Sequence, residues 1–423
     1  MADGRDHSLS LRERLTAPGA TLAPFRYPAF RAIWPANLSS QFGSQIQGAA
    51  AAWLMTELTT SHRLIAAVGA STTLPVMLFG VLCGAIADNF DRRKVMLIGQ
   101  WIMLIPSALL AALTFAGMVG PWLLLGCTMA VGIGFAVNGP SWQASVRAQV
   151  GTRDMPQAIS LNTIAFNIAR SVGPALGGIL VALAGMSIAF AVNAASFIWL
   201  IIVLFRWRPS VAPPVRQPML PSIRAGLAFS FGSDPIRRVL LRGFCVGVGA
   251  AGYQALLPAV VRDQLHGDEF SYGVVLGVFG LGSIVGALVG SSARRRFGTE
   301  VLMSAGIAPF VVTLPLISAI DSTLPFLPLS FLCGSGWVFV MTTINVAIQV
   351  RAPEAVLGRA LSLYQAVTFG GMAFGAWLWG SAADWVNLSF ALNAAALWLA
   401  AFTLVLRIFA PMPGPHEGRV DLG

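Results

Sequence analysis

Thr163, Asn167, Arg170 and Pro174 follow one another at i, i+4, i+7 and i+11 in the stretch LNTIAFNIARSVGPALGG. On a helix these spacings share one face, with Gly173 and Gly177 on its flank and Gly178 beside them. A permanent cation next to an amide and a hydroxyl can hold an anion or a polar solute. It cannot by itself make or break a bond. Counting about 1.5 Å per residue, Arg170 sits roughly 20 Å into its apolar run. An arginine at that depth faces a bundle interior or water. Pro174 has no N–H, so the carbonyl of Arg170 loses its helical partner and the helix can hinge there. The alternative is structural: the guanidinium satisfies carbonyls freed around Pro174 and the amide of Asn138.

A second polar face has the same character. Asn37, Gln41, Ser44 and Gly48 line one narrow face of the first apolar run, with Gln45 beside it. Uncharged amides in that setting suit a wet cavity, and polar contacts between helices are the alternative. Asn138, Tyr253, Asn345 and Tyr364 are candidates of the same kind. No enzyme constellation accompanies them. His7, His62, His266 and His416 fall in tails or loops, and neither G-x-S-x-G nor H-E-x-x-H occurs. The match GVGAAG (247–252) lies inside an apolar run with no preceding strand, so it reads as helix packing and not as nucleotide binding. Cys83, Cys127, Cys245 and Cys333 are isolated within apolar runs, which points to no disulfide and no metal site. No cofactor is expected.

These residues need a membrane to make sense. Of 423 residues, 56% are hydrophobic and 10% charged, where a soluble chain carries about 25% charge. Twelve apolar spans are readable, among them 64–87, 157–184, 239–261 and 359–383. Each has the roughly 20 residues that a helix needs to cross the hydrocarbon. The expected fold is therefore all-α and integral to the membrane. Arg63 and Arg262 fall in loops on one side and Arg170 within a span. The remaining arginines and the single lysine, Lys94, fall on the other side, which the positive-inside rule makes cytoplasmic. An even number of spans places both termini there, in a multi-pass protein of the cell inner membrane. The net charge of +10 is then topology and not nucleic-acid binding.

The proline- and arginine-rich interruption at 206–238 divides the chain. The expected organisation is a cytoplasmic tail (1–29), a six-helix bundle (30–205), a linker with an amphipathic helix (206–238), a second bundle (239–409) and a second tail (410–423). Gly84, Arg92, Arg93 and Lys94 recur 202 positions later as Gly286, Arg294, Arg295 and Arg296, and Gly173 recurs as Gly375. One offset across distant regions indicates a duplicated six-helix unit, with a solute site between the copies near the midplane.

GAIADNFDRRK (84–94) resembles the cytoplasmic signature of the major facilitator superfamily, and GPALGG (173–178) resembles its antiporter signature. With FRAIWPANLSSQFGSQIQ and ARSVGPALGG, the chain is similar to the subgroup that contains the bacterial enterobactin exporter. Asp91 stands where the signature has glycine, and the fourth span lacks the arginine of the signature shared by many proton-coupled exporters. The resemblance implies a secondary transporter working by alternating access of two bundles. It is expected to be an exporter of small amphipathic or anionic compounds, siderophore-like or drug-like, with an importer of the same fold as the nearest alternative. It also implies that Asp88, with Gly84, Arg92 and Arg93, gates the cytoplasmic mouth. Gly173, Pro174, Gly177 and Gly178 then form a hinge and domain interface, whose flank Gly173 and Gly177 is expected to meet the eighth span near Gly273 and Gly277. The expected partners are a small-molecule substrate, the lipid bilayer and protons as coupling ion, around a monomer. No carboxylate occupies the middle third of any span.

Overall fold

The computed structural model describes residues 20–208, 219–414 and 417. The tail 1–19 and the linker segment 209–218 lie outside the described residues, as do the side chains of Val81, Asp88, Glu354 and Ala355 and part of 219–226. The described chain is helical and contains no strand. We number the helices α1 (Pro28–Leu58), α2 (His62–Asn89), α3 (Arg92–Phe115), α4 (Pro121–Gln149), α5 (Met155–Ala184) and α6 (Met186–Arg206). A short helix α7 (Met219–Gly232) occupies the expected amphipathic position. There follow α8 (Asp234–Gln254), α9 (Glu269–Phe297), α10 (Thr299–Leu316), α11 (Thr323–Gln349), α12 (Glu354–Trp385) and α13 (Leu388–Phe409). A helical turn and a π turn continue the chain from α8 to Gln264, past the apolar run 239–261.

Local chemistry sets the boundaries. Ser61, Asp91, Asp268 and Asn387 cap the starts of α2, α3, α9 and α13 by accepting backbone N–H groups. The departure from the family signature at Asp91 is thus a helix cap. Gly185 and Gly298 take positive φ between helices, where a side chain would be strained. Ten of the long helices are also apolar enough to cross a membrane. The two others are α1 and α12, and α1 carries the amides of Asn37, Gln41, Gln45 and Gln47. α5 runs unbroken through Pro174.

Packing separates α1–α6 from α8–α13. In the first group α1 packs on α5 and α6, and α4 on α2 and α3; in the second, α11 packs on α9 and α10, and α12 on α8. Two seams join the groups: α2 against α12, and α5 against α9. Close backbone approach in the second half rests on glycine. Gly282 and Gly286 lie against the backbone of Phe331 and Ser335 on α11, and Gly247 against α12. The four cysteines are buried and unpaired. The end bearing the arginine-rich loops is here called inner, and the opposite end outer.

Candidate substrate cavity

On α5 the side chains divide among four surroundings. Gly173 and Gly177 face α1, against Gln45 and the backbone of Ile46. Ser171, Ala175 and Gly178 face α9, against Gly280, Gly277 and Gly273. Leu176, Ile179 and Leu183 are exposed on the far side, as a lipid-facing stripe is. The remaining sector, between α1 and α9, carries Thr163, Asn167, Arg170 and Pro174. The expected α5–α9 contact is therefore present, but it is made by Gly178 and its neighbours. Gly173 and Gly177 pack within their own half, because α5 presents a small-residue surface to both neighbours.

Arg170 reaches across the space between the halves. Its guanidinium carbon lies 5.6 Å from the centre of the Trp337 ring on α11, a cation–π distance, and it is within electrostatic reach of Tyr364 on α12. Among the described residues no carboxylate pairs with it and no acceptor takes its N–H groups, so the structural alternative, with carbonyls around Pro174 or Asn138 as acceptors, is not what is seen. Asn167 donates to the carbonyl of Thr163 (2.9 Å) and Thr163 to that of Ile159 (2.9 Å), and both side chains remain exposed. The carbonyl oxygen of the Asn167 side chain therefore stays available to a solute. On α1, Ser44 bonds the carbonyl of Ser40, and a side chain built at Gly48 would meet nothing within 4 Å. Buried polar atoms of Asn37 and Gln41 lack a partner, which is costly unless something else supplies one. Gln45 lies between the cavity face and Gly173.

Two expected cavity residues are elsewhere. Tyr253 is fully buried inside the second half, ringed by Phe279, Phe310 and Phe326, and its hydroxyl donates to Ser330 Oγ at 2.9 Å. The run 243–252 before it carries no other polar side chain, so spacing gave no phase. Asn138 packs its Cβ on Gly99 of α3, inside the first half. Tyr364 is buried beside Arg170, with its hydroxyl 3.6 Å from Met341 Sδ. Trp337 and Gln365 were missed. Gln365 is exposed and stands nine positions before the exposed Phe374, which puts it half a helical turn away from that lipid-facing side. Asn345 and Gln349 hydrogen-bond each other nearby in sequence on α11.

Of the gating residues, Arg92 donates to the carbonyl of Ala144 (3.0 Å), and Arg93 to those of Leu204 (2.7 Å) and Phe205 (2.8 Å). Both tie the start of α3 to helix C-termini of the same half, so neither bridges the halves in this arrangement. Gly84 faces Ser362 on α12. The side chain of Asp88 lies outside the described residues.

The outer end holds a clasp that the sequence did not reveal. Asp384 at the end of α12 accepts from Ser61 Oγ (2.6 Å) and from the backbone N–H groups of His62 (2.6 Å) and Arg63 (3.3 Å), capping α2 from the opposite half. The His62 ring bridges Asp384 (3.2 Å) and Asp263 (3.1 Å). Arg262 donates to the carbonyls of Thr56 and Thr59 (the latter at 3.0 Å) while pairing with Asp263. These groups lie beyond the apolar spans. The hydrogen bond to Asp263, then the field of both carboxylates, raises the pKa of His62 against the effect of burial. Burial alone would raise Asp263, but His62 and Arg262 bring it down to about 2. Trp53 stacks on Tyr272 with centroids 5.6 Å apart. The core of the second half crosses into the first through Ala49, Trp53 and Ala66, all at this end. The hydrogen bonds that Ser61, His62, Arg63 and Arg262 make to the opposite half all gather at the outer end.

The architecture agrees with known proteins. The family model described as transmembrane secretion effector matches residues 19–417. The enterobactin exporter of Shigella boydii serotype 4 is 27% identical over 372 residues, covering 84% of this chain and 85% of the relative. That of Citrobacter koseri is likewise 27% identical over 372 residues, with the same coverage. Among solved structures, the nucleoside transporter NupG matches with a TM-score of 0.67 at 16% identity, covering 89% of this chain and 99% of that one. A bacterial homologue of the iron transporter ferroportin matches with a TM-score of 0.63 at 16% identity, covering 89% and 98%. The chain is a multi-pass membrane transporter, not an enzyme, and it belongs to the transmembrane secretion effector family of the major facilitator superfamily.

Proposed function

We propose that this transporter exports a small anionic or amphipathic compound of siderophore-like character, loading it from the arginine-rich side. That side is taken as cytoplasmic, with both termini there and the chain acting as a monomer in the inner membrane. The observation that carries the reading is Arg170: a guanidinium on the aromatic face of Trp337, between the halves, with no carboxylate among the described residues to neutralise it. Thr163 and Asn167 offer uncharged hydrogen-bonding groups on the same face of α5, and Gln41 on α1 and Gln365 on α12 are proposed to add others. The outer clasp holds the other exit shut, so this arrangement is loading-competent, and release requires the clasp to open while the halves rock on the α5–α9 glycine seam. The relatives from Shigella boydii and Citrobacter koseri are enterobactin exporters, which supports a siderophore-like solute. Protons are the proposed coupling ion.

Reconstituted protein loaded with a catecholate siderophore under an imposed pH gradient tests this. Wild type should move the compound toward the outer side. Arg170→Gln should lose at least about tenfold in rate, the worth of one good charge-assisted contact, while Arg170→Lys keeps part of it because the charge remains. A wild-type rate in a well-expressed Arg170→Gln would remove the assignment, and net uptake in the opposite direction would favour an importer.

A further inference from the structure

A second cavity lies away from the polar space. It is a groove of about 780 Å³ on the α2–α12 seam, with Met129 of α4 and Phe244 of α8 contributing at its edges. Its opening faces the hydrocarbon. Leu74 in its wall begins a stripe that continues, one and two turns on, as the exposed Leu78 and Leu82. In the opposite wall, Phe374 and Trp377 are 44% and 52% exposed, and Phe374 stacks on Phe244 with centroids 6.4 Å apart. On α2, Gly69 points the other way, toward Ala255.

The walls are apolar except for the hydroxyl of Ser71 and, at one end, the single charge of Arg63. Arg63 is exposed, and only its backbone N–H is engaged, by Asp384. Its side chain makes no ion pair or hydrogen bond with the described residues. It precedes the apolar span, at the depth where headgroups begin. From Arg63 to Met77 the groove follows 14 residues of α2, roughly 21 Å at 1.5 Å per residue. That is about one leaflet: half of a hydrocarbon core of about 30 Å, plus a headgroup.

We propose that this groove binds one anionic phospholipid of the outer leaflet, its acyl chain between α2 and α12 and its phosphate on Arg63. A neutral lipid or an apolar solute would fill the walls but leave the cation unmatched. Because the walls come from both halves, the bound lipid favours the arrangement that forms them.

The test uses purified full-length protein in neutral detergent, titrated with phosphatidylglycerol or with phosphatidylcholine of identical acyl chains. Native mass spectrometry measures retained lipid, and thermal unfolding measures stabilisation. Wild type should prefer phosphatidylglycerol by about fivefold, the pull of one basic residue on an anionic lipid. Arg63→Gln should abolish the preference and Arg63→Lys keep it. Ala67→Trp, which fills the groove from its lipid side, should lower retention of both lipids while leaving the lipid-free melting temperature near that of wild type. Equal retention of the two lipids by wild type, or an unchanged preference in Arg63→Gln, overturns the proposal. So does displacement of the retained lipid by a neutral apolar solute with equal potency in wild type and Arg63→Gln. The identity of the transported compound does not enter any of these measurements.

Discussion

The two ends of the seam between the halves are built from different materials. At the outer end, charged and polar groups of α2, α12 and the turn after α8 interlock through Ser61, His62, Arg262, Asp263 and Asp384. Towards the inner end, the described arginines Arg92 and Arg93 satisfy carbonyls of their own half, and Thr163 and Asn167 remain exposed. From the outer end towards the middle, α5 and α9 touch through small residues, Gly178 at Gly273, Ala175 at Gly277 and Ser171 at Gly280. Polar contacts made in only one state can be broken and remade at small net cost, whereas a glycine seam tolerates sliding without gaining or losing groups. The contrast assigns switching to the outer clasp and continuity to the seam.

The seam should be the most sensitive to substitution. A side chain on Gly178 collides with the backbone of Gly273, and overpacking costs about 1–3 kcal/mol even where the surroundings adjust. Gly178→Leu should therefore reduce transport to about a tenth or less and separate α5 from α9, as read by loss of an engineered cross-link between them. Gly177→Leu should instead disturb α1 packing and lower the melting temperature with that cross-link intact.

Next comes the clasp. Asp384→Asn keeps the shape but weakens the charge-assisted bonds to Ser61, His62 and the α2 N-terminus, each worth about 1.5–3 kcal/mol when intact and less where water reaches it. Labelling of Ser44→Cys from the outer side should rise about tenfold, since each 1.4 kcal/mol shifts a two-state balance by that factor. Unchanged labelling would mean that the clasp does not hold the outer end.

A milder effect follows from pH. The raised pKa of His62 means that its contribution is complete below its ordinary value near 6.5 and is lost as pH climbs through the raised one. The lowered Asp263 and Asp384 contribute above ordinary carboxylate values and lose their effect as pH falls through the depressed ones. The clasp is strongest between these windows. Alkaline outer buffer should increase Ser44→Cys labelling by a few-fold, on the scale of one histidine charge, and His62→Gln should flatten that response.

The smallest expected change is at the inner mouth. Asp88→Asn should alter inner-side labelling of Gly84→Cys by less than Asp384→Asn alters the outer side, since Gly84 already lies at Ser362 without a bond.

What was legible in the sequence was whatever a helix period encodes. The face carrying Thr163, Asn167 and Arg170 is where spacing put it, because a lone arginine in an apolar span has only the space between the halves to face. The α5–α9 pairing was readable from small residues, but the choice among Gly173, Gly177 and Gly178 was not. Two neighbours ask for small side chains on faces about 100° apart. Tyr253 was misplaced because a tyrosine hydroxyl inside an aromatic core and one on a cavity wall leave the same trace in sequence. The clasp was invisible for a further reason. His62 meets Asp263 and Asp384 across sequence separations of 201 and 322 residues, and loop residues have no periodicity to point them at one another.

The central claim is that the polar space around Arg170 opens to the arginine-rich side and is closed at the other. The direct measurement is the labelling of Asn167→Cys by a membrane-impermeant thiol reagent, applied separately to each side of oriented vesicles; the four native cysteines are buried and leave a low background. Rapid labelling from the arginine-rich side, blocked by bound substrate and absent from the other, is the predicted result. Labelling from the outer side at an equal or greater rate would contradict the account.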